Sequence, residues 1–155
     1  GGLAREVVER SMNASERGVI LLVEDNPDDR DLTIRALRRN RVTNEIVVAR
    51  DGSEALAILF QGTRGLPSMV LLDLKLPKVN GLEVLAAIRE DRRTRHLPVV
   101  VLTSSDEERD MGESQRLGAS YLRKSLDFVE FRDVIRRAVR GWPVHVGDSE
   151  GGEKP

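Results

Sequence analysis

From Val19 onward, short runs of consecutive apolar residues alternate with longer amphipathic stretches, and the alternation occurs five times. Val19-Ile20-Leu21-Leu22-Val23 reads as a strand buried on both faces, closed by Glu24-Asp25-Asn26. Pro27 suits a first helical position, and Asp28, Asp29 and Asp31 complement the positive end of the helix it opens. Leu32, Ala36 and Leu37 form that helix's inner stripe, which ends near Asn40. Residues 45–49 predict a second strand, and Asp51-Gly52-Ser53 turns it into a helix that Gly62 closes. A third strand over Ser68–Asp73 precedes a helix starting at Asn80-Gly81, with Leu82, Leu85 and Ile88 at helical spacing. Pro98–Thr103 is a fourth strand and Ser120–Lys124 a fifth. The helix predicted over Ser104–Gly118 has only Met111 and Leu117 as sizeable apolar anchors. The last helix is well marked by Phe128, Phe131, Val134, Ile135, Ala138 and Val139.

Five strands alternating with five helices imply an α/β protein, a parallel sheet covered on both faces. No linker divides the repeat, so residues 18–140 form one domain. Residues 1–17 precede it as a flexible segment, with a weak apolar face of Leu3, Val7 and Val8. Met12 is a natural start, so part of what lies ahead of it is readable as an added leader. After Gly141 the composition turns to Gly, Glu, Ser and Pro, which predicts a flexible tail over 141–155, although Trp142 could dock on the last helix.

Composition narrows the chemistry. A formal net charge of −1 offers no electrostatic attraction to nucleic acid or an anionic membrane. With no cysteine, disulfides, thiolate catalysis and cysteine-ligated metals are excluded. No apolar run approaches the roughly 20 residues of a bilayer span, and no signal-peptide core precedes Val19, so the expected location is the cytoplasm.

In parallel sheets of this kind, ligands gather at the carboxyl ends of the strands. Strand one delivers Glu24 and Asp25 there, strand three Asp73, strand four Thr103 and strand five Lys124. Singly, each has an ordinary explanation: a helix cap, a turn residue, a solvated lysine. Together they need one. Three carboxylates repel unless a cation joins them, and oxygen ligands without His or Cys favour Mg²⁺ over zinc. Magnesium often shares its site with a phosphate, which Lys124 could pair with and Thr103 could hydrogen-bond. A remaining carboxylate can then act as nucleophile, as in acyl-phosphate chemistry.

The chain here resembles the receiver domains of bacterial two-component response regulators, over about residues 18–140. The resemblance rests on four stretches: Leu21-Leu22-Val23-Glu24-Asp25-Asn26, Leu71-Leu72-Asp73-Leu74-Lys75-Leu76-Pro77 with Gly81 beyond, Val101-Leu102-Thr103-Ser104, and Tyr121-Leu122-Arg123-Lys124. It implies a flavodoxin-like (βα)5 fold with strand order 2-1-3-4-5. It also implies Asp73 as phosphoacceptor, with Mg²⁺ held by Asp25, Asp73, the Lys75 backbone carbonyl and, through water, Glu24. Thr103 would move towards the phosphoryl group, Lys124 would pair with it, and Tyr121 would be the aromatic switch. Lys75 and Ser105 fall where the family tunes phosphoryl lifetime. Such a protein is no conventional enzyme; it catalyses its own aspartyl phosphorylation from a histidine kinase and its own slow dephosphorylation.

Two positions depart from the family pattern. Ser125 stands where a proline usually follows the lysine in a cis peptide. A cis Lys124–Ser125 bond would cost about 3–4 kcal/mol, so either strain is stored there or the loop differs. Lys75 places a long cation where water would attack, which predicts slow hydrolysis of the phosphoryl group. Val23 to Asp29 and Lys124-Ser125 are similar to small single-domain regulators that partner phytochrome-type histidine kinases, and these imply a homodimer through the fourth helix, fifth strand and fifth helix. Two other functions fit less well. An aspartate-nucleophile phosphatase would want an acid at Lys75, and a phosphorylation-independent adaptor would not need the complete acidic set. A nucleotide-binding protein would want a glycine-rich loop after strand one. The output expected is a protein contact, with no direct nucleic-acid binding.

Overall fold

The computed structural model describes residues 18–62, 65–104, 107–125 and 127–147. Five parallel strands, β1 (Val19–Val23), β2 (Glu45–Ala49), β3 (Met69–Leu72), β4 (Val99–Thr103) and β5 (Ser120–Arg123), lie in the order β2-β1-β3-β4-β5. Between and after them run α1 (Pro27–Arg39), α2 (Gly52–Gln61), α3 (Gly81–Glu90), α4 (Glu108–Arg116) and α5 (Phe128–Val139). This is the flavodoxin-like order.

Side chains alternate across a strand, so each buried run feeds two cores. Leu21, Val23, Val70, Leu72, Val99 and Val101 face α2 and α3, where Leu59, Val84, Leu85 and Ile88 meet them. Ile20, Leu22, Met69, Leu71, Val100 and Leu102 face α1 and α5, packing on Ala36, Leu37, Phe131 and Ile135. Burial on both faces leaves the three central strands no freedom to slip. The functional ends of those strands inherit that rigidity.

Local signals act where expected at most helix starts. Asn26 caps α1 through the Asp29 N–H, with Pro27 at its first position, and Asp51 caps α2 through the Glu54 N–H. Asn80 and Glu83 form a reciprocal capping box on α3, and Asp127 accepts from the N–H groups of Val129 and Glu130 on α5. α4 is the exception: Glu107 makes no side-chain cap, and the helix begins at Glu108 instead of near Ser104. The only residue it fully buries is Ser114, whose hydroxyl has no hydrogen-bond partner. Met111 is half-buried.

The boundary at Gly141 is a second difference. Residues 141–147, expected in the flexible tail, are tied to the loop between α1 and β2. Val146 forms an antiparallel bridge with Val42, and the Thr43 N–H donates to the His145 carbonyl at 2.9 Å. The His145 N–H donates to the buried Asn44 side chain at 2.7 Å. Trp142 and Val144 pack on the α1/α5 core. These backbone groups gain partners that composition cannot reveal, because the partners lie about a hundred residues away. Residues 1–17 and 148–155 lie outside the described residues.

Candidate functional site

The carboxyl ends of the strands are stitched together by backbone bonds that continue the sheet one residue beyond each strand. The Glu24 N–H donates to the Ala49 carbonyl at 2.9 Å, the Asp73 N–H to the Val23 carbonyl at 3.0 Å, and the Lys124 N–H to the Thr103 carbonyl at 2.9 Å. Glu24, Asp73 and Lys124 thus stand on ladder positions, though none belongs to its strand proper. A side chain held there has a fixed origin.

Glu24, Asp25 and Asp73 converge so that one carboxylate oxygen from each lies within 4.8 Å of the other two. Glu24 and Asp73 are buried; Asp25 is exposed. Two of the acids are buried and one is open to water, and the all-oxygen donor set suits a hard divalent cation. The Asn26 N–H and the Arg30 guanidinium hold the entry loop from behind: Asn26 donates to Glu24 Oε2 at 3.2 Å, and Arg30 to the Glu24 carbonyl at 3.2 Å.

Lys124 supplies the cation within the protein itself. Its Nζ donates to Glu24 Oε1 at 2.5 Å, to Asp29 Oδ2 at 3.0 Å and to Asp73 Oδ2 at 3.1 Å. The other Asp73 oxygen, Oδ1, accepts from the Lys75 N–H at 3.2 Å. Burial pushes the Glu24 carboxyl up to about 7, the nearby Asp73 charge adding to it and Lys124 working against it. Burial disfavours the Lys124 charge, but the bond to Glu24 and the charge of Asp73 outweigh that and raise its pKa.

The loop after Asp73 is clamped by close backbone approach. A Cβ on Gly81 would lie 2.3 Å from the Asp73 carbonyl oxygen and 2.5 Å from the Leu74 Cα, so only glycine admits this contact. The Gly81 N–H donates to the Leu74 carbonyl at 2.9 Å, and Leu74 itself is buried. Lys78 takes a positive φ of 66° and pairs with Asp51 at 3.4 Å, closing the loop's far side.

Thr103 is fully buried at the end of β4, and Tyr121 is half-buried against the α2/α3 core. Lys75 is exposed. Ser105 lies outside the described residues. No peptide bond among the described residues is cis, so Lys124–Ser125 is trans and, of the two alternatives, the loop is the one that differs. Ser125 instead accepts from the Asp127 N–H at 3.1 Å and donates to Glu130 at 2.5 Å, joining the turn into α5. Two participants escaped the sequence reading. Asp29 and Arg30 sit at the start of α1, where Asp29 complements the positive helix end and Arg30 carries no local signal of a role. Only the fold shows them reaching Lys124 and the Glu24 carbonyl.

Comparison with known proteins agrees with this geometry. Residues 20–136 match the response regulator receiver domain model. The bacteriophytochrome response regulator AtBRR is 47% identical, with a TM-score of 0.66 over 81% of this chain and 94% of that one. The phosphorylated cyanobacterial phytochrome response regulator RcpA is 38% identical, with a TM-score of 0.75 over 81% of this chain and 94% of RcpA. The response regulator Rcp1 of Synechocystis sp. is 37% identical over 129 residues, 80% of this chain and 88% of Rcp1. Its Mn(2+)-bound form superposes with a TM-score of 0.74 over 84% of this chain and 99% of that one. Receiver domains take their phosphoryl groups from sensor histidine kinases and bind a divalent metal at an acidic pocket. By sequence, fold and the acidic pocket at its sheet edge, this chain belongs to the response regulator receiver domain family.

Proposed function

We propose that Asp73 is the phosphoacceptor and that Glu24, Asp25 and Asp73, with the Lys75 carbonyl, hold Mg²⁺. A bound Mg²⁺ would neutralise charge developing on the transferred phosphoryl oxygens. The observation that carries the reading is the convergence of three carboxylates with Lys124 and Thr103 at one rigid edge. A carboxylate oxygen of Asp73 attacks phosphorus, the bond from phosphorus to the kinase imidazole breaks, and its electron pair leaves with the imidazole nitrogen. Lys124 donates to a phosphoryl oxygen, and Thr103 closes on another. Hydrolysis later returns the Asp73 carboxylate and releases phosphate.

The donor is a sensor histidine kinase of the phytochrome type, supported by the likeness to AtBRR and RcpA. The site is cytoplasmic; no helix among the described residues is long and apolar enough to cross a membrane. Tyr121 relays occupancy of the site to the surface of α4, β5 and α5, where Val129 is 54% exposed, and a homodimer forms there. Lys75 and Ser105 set the lifetime, with Lys75→Asn shortening it. The test is mass measurement after incubation with acetyl phosphate, with and without Mg²⁺, on wild type and Asp73→Asn. A Mg²⁺-dependent phosphoryl mass gain confined to wild type is expected. A gain that survives in Asp73→Asn would remove Asp73 from the role.

A further inference from the structure

An ammonium group has three N–H donors, and in this fold Lys124 has spent all of them on Glu24, Asp29 and Asp73. A phosphoryl group on Asp73 therefore obtains a donor from Lys124 only if one carboxylate lets go. The three are not equal. Glu24 is 2% exposed and its other oxygen is bound to the Asn26 N–H, so it has nowhere to go. Asp73 carries the phosphoryl group. Asp29 has a side chain 38% exposed and lines an open cleft of about 350 Å³ shared with Ser104, Lys124 and Ser125. It also occupies the third position of α1, where the positive helix end stabilises its charge without Lys124.

We propose that Asp29 is a positioning residue that holds Lys124 in the resting protein and yields it to the phosphoryl group, so that its charge opposes phosphorylation. This rests on Asp73 being the acceptor. Breaking the Asp29–Lys124 pair subtracts from the stability of the phosphorylated state and from the rate of reaching it. The pair is half-exposed, which limits the effect to that of a partly screened ion pair, about two- to fivefold.

Three variants separate this from a general charge effect. Asp29→Asn removes the charge that competes for Lys124. Asp28→Asn removes the same charge from the same helical turn, at an exposed residue not bonded to Lys124. Asp29→Glu keeps the charge. Two measurements are read in Mg²⁺: the rate of mass gain from acetyl phosphate, and the affinity for beryllofluoride as a phosphoryl mimic. Asp29→Asn is expected to raise both about two- to fivefold, while Asp28→Asn and Asp29→Glu track wild type. A fall in either quantity in Asp29→Asn would mean that Asp29 orients Lys124 for the reaction, overturning the release role. No change in Asp29→Asn, or an equal rise in Asp28→Asn, overturns it as well. A wild type that gains no mass at Asp73 removes the acceptor assignment and this proposal together. Normal phosphorylation of Asp73 beside an indifferent Asp29→Asn removes this proposal alone.

Discussion

Helices α4 and α5 precede and follow β5 in the chain, yet they are secured in opposite ways. α5 buries Phe131, Ile135 and Val139 and starts on a double cap from Asp127. α4 starts with no side-chain cap and fully buries only Ser114, a hydroxyl without a partner. The α5 arrangement removes apolar area from water and satisfies its terminus; the α4 arrangement does little of either and adds a desolvated polar atom. The difference follows the division of labour expected in the fold. The strand ends that hold charge together must not move, whereas an element that reports the state of the site must have a second position of similar energy. Poor anchoring is the physical form such a second position takes.

The contrast can be broken most forcefully from the α5 side. Ile135→Ala removes a fully buried side chain and should cost about 2–5 kcal/mol in urea unfolding, whereas Met111→Ala on α4 should cost under about 1 kcal/mol. Equal losses would mean that α4 is as firmly seated as α5.

Next in size is the charge held at the rigid edge. The folded Glu24 carboxyl titrates near 7, above its ordinary 4.5, so its contribution to stability is fully present below pH 4.5 and lost as pH rises through 7. In metal-free solution, wild type should therefore lose roughly 3 kcal/mol relative to Glu24→Gln across that window. Parallel pH profiles of the two proteins in thermal unfolding would contradict it. Added Mg²⁺ should narrow the gap, because a ligand that binds only the folded state stabilises it.

A smaller loss is expected at the clamp on the loop after Asp73. Gly81→Ala drives a methyl group into the Asp73 and Leu74 backbone, for about 1–3 kcal/mol of overpacking. Because the displaced atoms include those of Asp73, the proposed acceptor, phosphorylation by acetyl phosphate should fall further than the melting temperature suggests. The reverse pattern would place the strain elsewhere.

The smallest effect sharpens the comparison. Ser114→Ala deletes the orphaned hydroxyl and should leave stability unchanged or raise it by about 0.5–1 kcal/mol, with α4 protected more strongly against amide exchange. A clear loss of stability would reveal a bond that the hydroxyl makes.

Much of this was legible from residue order alone. The five apolar runs, the caps at Asn26, Asp51 and Asn80, and the placement of Glu24, Asp25, Asp73, Thr103 and Lys124 at the strand ends are local facts, because periodicity and strand-end position need no knowledge of distant contacts. The sparse anchoring of α4 was visible for the same reason. What escaped was whatever depended on distance in space. Asp29 looks like a helix-dipole acid until Lys124, 95 residues away, comes within 3.0 Å. His145 and Val146 look like tail residues until they meet Asn44 and Val42. Gly81 looks like a helix start until the Asp73 carbonyl proves too close for a Cβ.

The sequence by itself therefore determined the fold class and the set of candidate groups at the strand ends, since hydrophobic period and side-chain chemistry are written one residue at a time. Only the tertiary structure decided which carboxylates share Lys124, how exposed each of them is, and that residues 142–147 pack back onto the domain. Those depend on how the donors of one ammonium group, and the free backbone groups of one loop, are divided among neighbours brought together by packing.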